Sequence, residues 1–162
     1  MRPGVRLALD WGKARIGVAA CDRGGILAHP VATVPAGPDA LRNIAELVAE
    51  YEPIEVVLGL PRTLAGTESH AAAGIRAAAR DLVMALPGVP VRLVDERLST
   101  VTASRRLSSA GKDTRKQRSL IDQAAAVAIL EAALDHERST GVPAGEVFRP
   151  PPSRTEPEED EL

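Results

Sequence analysis

The sequence predicts an α/β domain: a five-stranded mixed sheet flanked by helices, with strands one to three antiparallel and strands four and five parallel. Three observations carry that expectation. Runs with period-two alternation open the chain, helical spacing begins only after residue 36, and strand and helix patterns alternate from there. Apolar residues make up 44% of the chain and aromatics only 2%, so Leu, Val, Ile and Ala must build the core. A chain of 162 residues is long enough for one domain with a substantial interior.

In "VRLALD", Val5, Leu7 and Leu9 share one face and Arg6, Ala8 and Asp10 the other, which gives a first strand ending at Asp10. A break at "WGKAR" precedes a second strand, "IGVAACD". "DRGG" reads as a hairpin turn. "ILAHPVATV" is the third strand, where Pro30 marks an edge or a bulge. The period then changes: Asp39 can cap a helix carrying Leu41, Ile44, Leu47 and Val48 at helical spacing. "IEVVLGLP" is a nearly continuous apolar run, as a buried parallel strand requires. The loop "RTLAGTESH" leads to an alanine-rich helix over 71–86, stopped by Pro87-Gly88, and "VPVRLVD" is the fifth strand.

Ser99 or Thr100 is placed to cap a helix over 101–109, and "AGKDTRKQRS" reads as a flexible basic loop. "LIDQAAAVAILEAALDHER" has the strongest helical pattern in the chain. Residues 1–138 therefore form the expected domain. Residues 139–162, rich in Pro and acids and without a periodic face, form an expected disordered tail. The order β-β-β-α-β-α-β-α-α, a meander followed by helical crossovers, is the layout of a ribonuclease H-like domain.

The formal charge of −2 conceals a split, because the tail carries −4 and residues 1–138 carry +2. The strongest local excess runs from Arg105 to Arg118, where Arg105, Arg106, Lys112, Arg115, Lys116 and Arg118 face Asp113 alone. Such a segment meets a phosphate backbone or is a solvated helix end and loop. No apolar run approaches the roughly 18 residues of a membrane span, and the start of the chain has no signal-peptide layout. A single cysteine, Cys21, excludes an internal disulfide framework and fits a reducing cytoplasm. It reads as a small core residue, with an intermolecular disulfide as the lesser alternative.

Three acids can meet. Asp10 ends strand one, Glu96 follows strand five, and Asp122 falls in the first turn expected of the last helix. Functional groups collect at the carboxyl ends of parallel strands. Asp122, Ala125, Ala126, Ile129 and Ala133 share a helical face whose small apolar residues allow close approach to the sheet. Three neighbouring carboxylates repel unless they are partly protonated or hold a cation. Oxygen-only ligands suit Mg²⁺ or Mn²⁺, and a pair of such ions supports phosphodiester hydrolysis.

Each acid has a competing explanation. Asp10 can bond the amides of the Gly12 turn, Glu96 can pair with Arg97 or another base, and Asp122 can answer the helix dipole. Asp95 is assigned a supporting role, since neighbouring strand-end side chains point opposite ways. Gly12 and Gly17 serve turn packing or phosphate approach, and Arg62 and Thr67 are candidates to reach phosphate. His29, His70 and His136 lack metal-ligand spacing and read as surface or packing residues, with only His70 near the proposed loop. Trp11 either packs or stacks a base.

"ALDWGKARIGVA", "VVLGLPRTLAGTES", "DERLST" and "IDQAAAVAILE" resemble, in order and spacing over residues 5–135, the YqgF/RuvX family of pre-16S rRNA nucleases, relatives of RuvC-type Holliday junction resolvases. The resemblance implies a ribonuclease H-like fold and a metal-dependent, cytoplasmic endonuclease that trims the 5′ end of 16S rRNA precursor. It matches Asp10, Glu96 and Asp122 to an acidic triad that is both catalytic and metal-binding, with Mg²⁺ or Mn²⁺. Lys13 or Arg15, Arg97 and the loop from Gly59 to Glu68, which holds Arg62 and Thr67, would line the substrate side. Lys116 and Arg118 extend that side through the basic segment. "RKQRSLID" departs from the family, whose members often carry Lys-Gly ahead of the aspartate, and the Pro-rich tail lies outside the family core.

Other functions are compatible with parts of the pattern. A resolvase acting on four-way DNA junctions would have to work as a homodimer, whereas an RNA processor can act as a monomer. A non-catalytic RNA-binding or transcription-associated module would keep the acids for structure. D-x-G followed by "IGVA" also resembles the phosphate loop of sugar kinase and actin-type ATPases, but those need two such lobes.

Overall fold

The computed structural model describes residues 1–63, 65, 67, 68, 70–100 and 115–151. Three strands come first: β1 (Arg6–Trp11), β2 (Arg15–Cys21) and β3 (Ala28–Pro35). Helix α1 (Ala40–Tyr51), β4 (Glu55–Leu60), α2 (His70–Ala85) and β5 (Val91–Asp95) follow. A 3₁₀ turn (Glu96–Leu98), α3 (Arg115–Thr140) and β6 (Glu146–Val147) complete the described elements. The sheet order is β3-β2-β1-β4-β5-β6, with β1, β4 and β5 parallel and β2, β3 and β6 antiparallel to their neighbours.

Period-two alternation sorts the side chains into two layers. Leu7, Leu9, Ile16, Val18, Val56 and Leu58 pack with Ile44 of α1 and Ile75 and Leu82 of α2. Ala8, Ala19, Val57 and Val94 face the opposite way and pack on Ala125, Ala126, Ile129 and Leu130 of α3. The α3 side of the sheet is lined largely by small residues, so this long helix lies close to the strands. Pro30 sits on the edge strand β3 opposite Ala19, beside a register shift between Val18 and Ala19, as its missing N–H requires.

The structure corrects the expected elements in three places. The sheet has six strands, because Glu146–Val147, placed in the tail by sequence, pairs with Leu93 and Arg92 of β5. Helix α3 begins at Arg115, within the stretch read as a basic loop, so Asp122 lies two turns into the helix and not in its first turn. Asp39 precedes α1 but makes no side-chain cap bond, and pairs with Arg42 at 3.2 Å. The expected helix over 101–109, the basic residues Arg105, Arg106 and Lys112, and the tail over 152–162 lie outside the described residues.

The end of the sheet where the parallel strands begin holds a charged network. Arg6, 1% exposed, donates to Glu137 Oε2 at 2.8 Å, while Glu55 accepts from Arg2 at 2.8 Å and from Arg92 at 2.9 Å. Burial pushes the Glu137 carboxyl up, but Arg2 and Arg6 overcome this and hold it below its ordinary value. Unfolded, this group binds its proton near pH 4.3. Its stabilising contribution is therefore complete above that pH and is lost as pH falls through the lower, folded value. Glu137→Gln leaves the buried Arg6 charge uncompensated and is expected to cost about 3 kcal/mol at neutral pH. Urea unfolding at pH 7 and pH 4 checks this, with the gap between variant and parent narrowing at the lower pH.

Candidate active site

Asp10, 6% exposed, has the parity of Ala8 and faces α3. Gly17 of β2 is its direct partner, and Gly59 of β4 is level with it one step beyond the Leu9–Leu58 pair. A Cβ on Gly17 would collide with the Asp122 carbonyl, so α3 rests on β2 at that point. A Cβ on Gly59 would come within 2.8 Å of Ile129 Cδ1 and 3.0 Å of Glu96 Oε1. Two glycines thus flank Asp10. Asp122 comes in over one and the Glu96 side chain over the other.

The neighbouring charges are partnered in a specific way. Asp95 accepts from the Arg97 amide at 2.9 Å and from Arg97 Nη2 at 2.6 Å, and Arg62 Nε lies 3.9 Å away. The Arg97 hydrogen bond is the main reason that Asp95 is held below the usual carboxylate range. Arg97 is thus engaged with Asp95, the supporting partner that strand alternation assigned, and not with Glu96. The Gly12 amide donates to the Arg15 carbonyl at 3.0 Å, so that turn has a backbone bond of its own. Asp122, away from the helix start, is removed from the dipole explanation. Its Oδ2 accepts from Arg15 Nε at 2.6 Å.

Among the described residues, no group of three or more His, Cys, Asp or Glu side chains is placed to hold a metal ion. The donor chemistry nevertheless suits a hard divalent cation: the acids offer oxygen only, and the glycines remove side-chain bulk around Asp10.

Two clefts lie nearby, one bordered by Arg15, the partner of Asp122, and the other by Glu96. The first, about 970 Å³, lies between β2–β3 and the start of α3, and its lining includes Arg15, Arg115, Lys116, Arg118, Thr33 and Ser119. Thr33 fastens this end of α3: its hydroxyl donates to the Ser119 carbonyl at 3.0 Å and accepts from Gln123 Nε2 at 3.0 Å. The second cleft, about 530 Å³, lies on the α1–α2 side and includes Trp11, Lys13, Pro61, His70 and Glu96.

The expected substrate residues therefore separate. Arg15, Lys116 and Arg118 line the first cleft and Lys13 the second, while Arg62, Thr67 and Arg97 line neither. Thr67 closes its own loop, with its hydroxyl 2.7 Å from that of Thr63. Sequence reasoning missed Thr33 and Ser119, since lone hydroxyls on an edge strand and in a helix carry no motif. Arg15→Ala should weaken binding of any polyanion that occupies the first cleft. It should also reduce the slope of log affinity against log salt by about one, read from binding titrations at several salt concentrations.

A mixed sheet with an antiparallel meander, parallel inner strands and a long helix crossing the Asp10 face defines a ribonuclease H-like protein. The solved structure of Thermus thermophilus RuvC bound to a Holliday junction shares this fold, with a TM-score of 0.58 and 15% identity over 88% of this chain and 99% of that one. The RuvX family, described as Holliday junction resolvase, matches residues 4–136, and the chain belongs to it. Relatives named "Putative pre-16S rRNA nuclease" include one from Streptomyces coelicolor, 59% identical over 90% of this chain and 89% of its own length. Another, from Cutibacterium acnes, is 59% identical over 83% of this chain and 84% of its own length.

Proposed function

We propose that this chain is a metal-dependent endonuclease that hydrolyses phosphodiester bonds of structured nucleic acid, with 5′-end processing of pre-16S rRNA in the cytoplasm as its role. The observation that carries the proposal is the approach of the Asp122 backbone and the Glu96 side chain to the glycines on either side of Asp10, with Asp122 joined through Arg15 to a cleft that Arg115, Lys116 and Arg118 also line. The names of relatives sharing 59% identity favour the ribosomal precursor as substrate.

Asp10, Glu96 and Asp122 would hold Mg²⁺ or Mn²⁺, which when bound supplies a water activated for attack and stabilises the leaving oxygen. The chain's own residues do the positioning. Arg15, Lys116 and Arg118 attract the phosphate backbone, and Lys13 meets it from the other side of β1. Arg15 has two partners in prospect: its guanidinium can leave Asp122 for a phosphate, which would free that carboxylate when substrate is present.

The family description favours a second substrate, a four-way DNA junction, which would call for two copies of the chain acting together. The deciding experiment offers purified protein both a 5′-extended 16S precursor RNA and a DNA junction, with Mg²⁺ or Mn²⁺ and again with EDTA. Metal-dependent cutting of the RNA alone is expected. Symmetric nicking of the junction alone would transfer the role to recombination, and cutting of neither would overturn the nuclease proposal.

A further inference from the structure

We infer that the Trp11 cleft seats one unpaired base of the substrate strand, on the opposite side of β1 from Asp10. The inference rests on the nuclease proposal and specifies which part of the nucleic acid reaches the site.

Asp10 and Trp11 are consecutive at the end of β1, and strand alternation sends their side chains to opposite faces. Asp10 faces α3, whereas Trp11 packs partly against the core shared with α1 and α2 and lines the 530 Å³ cleft. The chain has one Trp, one Tyr and one Phe. All three pack against that core, but only the Trp lies in the cleft that also contains Glu96. A half-buried indole and Glu96 thus line the same cleft.

The remaining lining suits a base with its phosphate. Leu41, Pro61 and Ile75 are apolar walls, the exposed Lys13 is the cation of the lining, and His70 and Asp81 complete its polar side with Glu96. The volume falls in the range of small-ligand sites. Stacking on an indole is tolerant of base identity, so the cleft would select for an unpaired nucleotide and not for a sequence. A base leaves its stack at least cost where it is already unpaired, as in a precursor's single-stranded end or at a junction.

The chain's single tryptophan makes the test direct, because all indole fluorescence reports on this cleft. A labelled single-stranded RNA of about twelve nucleotides is titrated into the protein in EDTA, following label anisotropy and tryptophan emission together. Saturable quenching with the same midpoint as the anisotropy change is expected, with little quenching by the duplex of the same sequence. Trp11→Leu should bind the strand roughly tenfold more weakly, and Trp11→Phe should recover most of the loss; thermal melts verify that both variants fold. Binding without quenching would overturn the base seat while leaving the nuclease proposal standing. Quenching by AMP alone, as tight as by the strand, would replace the strand with a free nucleotide as the occupant. No anisotropy change with any nucleic acid would overturn the base seat, and only a lack of metal-dependent cutting as well would remove the nuclease proposal.

Discussion

Asp10→Asn is expected to cleave roughly a thousandfold more slowly than the parent chain, with a melting temperature shifted by no more than about 4 °C. Asparagine keeps the shape of the side chain and removes its charge. Asp10 is buried between the two glycines over which Asp122 and Glu96 approach, and Asp122 is itself paired with Arg15. A neutral side chain of the same shape should therefore disturb the packing of the metal-free protein little. The cost appears when a cation must be held and a transition state stabilised, which is where charge acts on rate and not on folding. Parallel cleavage assays and melts, with and without Mg²⁺, separate the two. A variant that cuts at the parental rate would mean that Asp10 takes no part in chemistry. A variant that cuts slowly only because it unfolds would make Asp10 a structural residue.

Gly17→Ala is expected to cost about 3 kcal/mol or more, at the upper end for an added methyl group, because the obstacle is backbone. The new Cβ would strike the Asp122 carbonyl, and the neighbouring Gln123 amide nitrogen would lie 3.0 Å away. Neither can rotate aside as a side chain can. Helix α3 must lift from β2, and the contacts between Thr33, Ser119 and Gln123 that fasten its basic end should loosen with it. Urea unfolding gives the stability change. In the fraction that remains folded, the cleavage rate should also fall, since Asp122 travels with the helix. Full stability in Gly17→Ala would show that α3 can shift freely, which the close contact argues against.

The sheet and its two-sided packing were legible in the sequence because period-two alternation is a strong signal. Leu7 and Leu9 separate from Ala8 and Asp10 in a run of four residues. The same rule assigned Asp95 a supporting role and left Glu96 for the site. Sequence reasoning failed where periodicity is absent. Glu146–Val147 is a two-residue strand whose existence depends on the free edge of β5, a tertiary fact. The first turn of α3, "RKQRS", is polar on every side, so it resembles a loop although Arg, Lys and Gln are good helix formers. That error put Asp122 near a dipole it does not meet. The pairing of Arg15 with Asp122 was equally hidden, since 107 positions separate the two residues.

The short β6 has a consequence for how copies of this protein can associate. An open sheet edge with unpaired amides is a template on which another molecule can extend the sheet. Here β6 covers part of β5, and Gly145, at φ +66°, lets the chain pass so close to the Leu93 carbonyl that a Cβ would not fit. The opposite edge, β3, contains Pro30, which has no amide hydrogen to offer. Both margins therefore resist polymer-like growth. Any stable pairing of two copies would have to be built from helix faces and loops, leaving the sheet ends that carry the acids open to a long, bulky substrate.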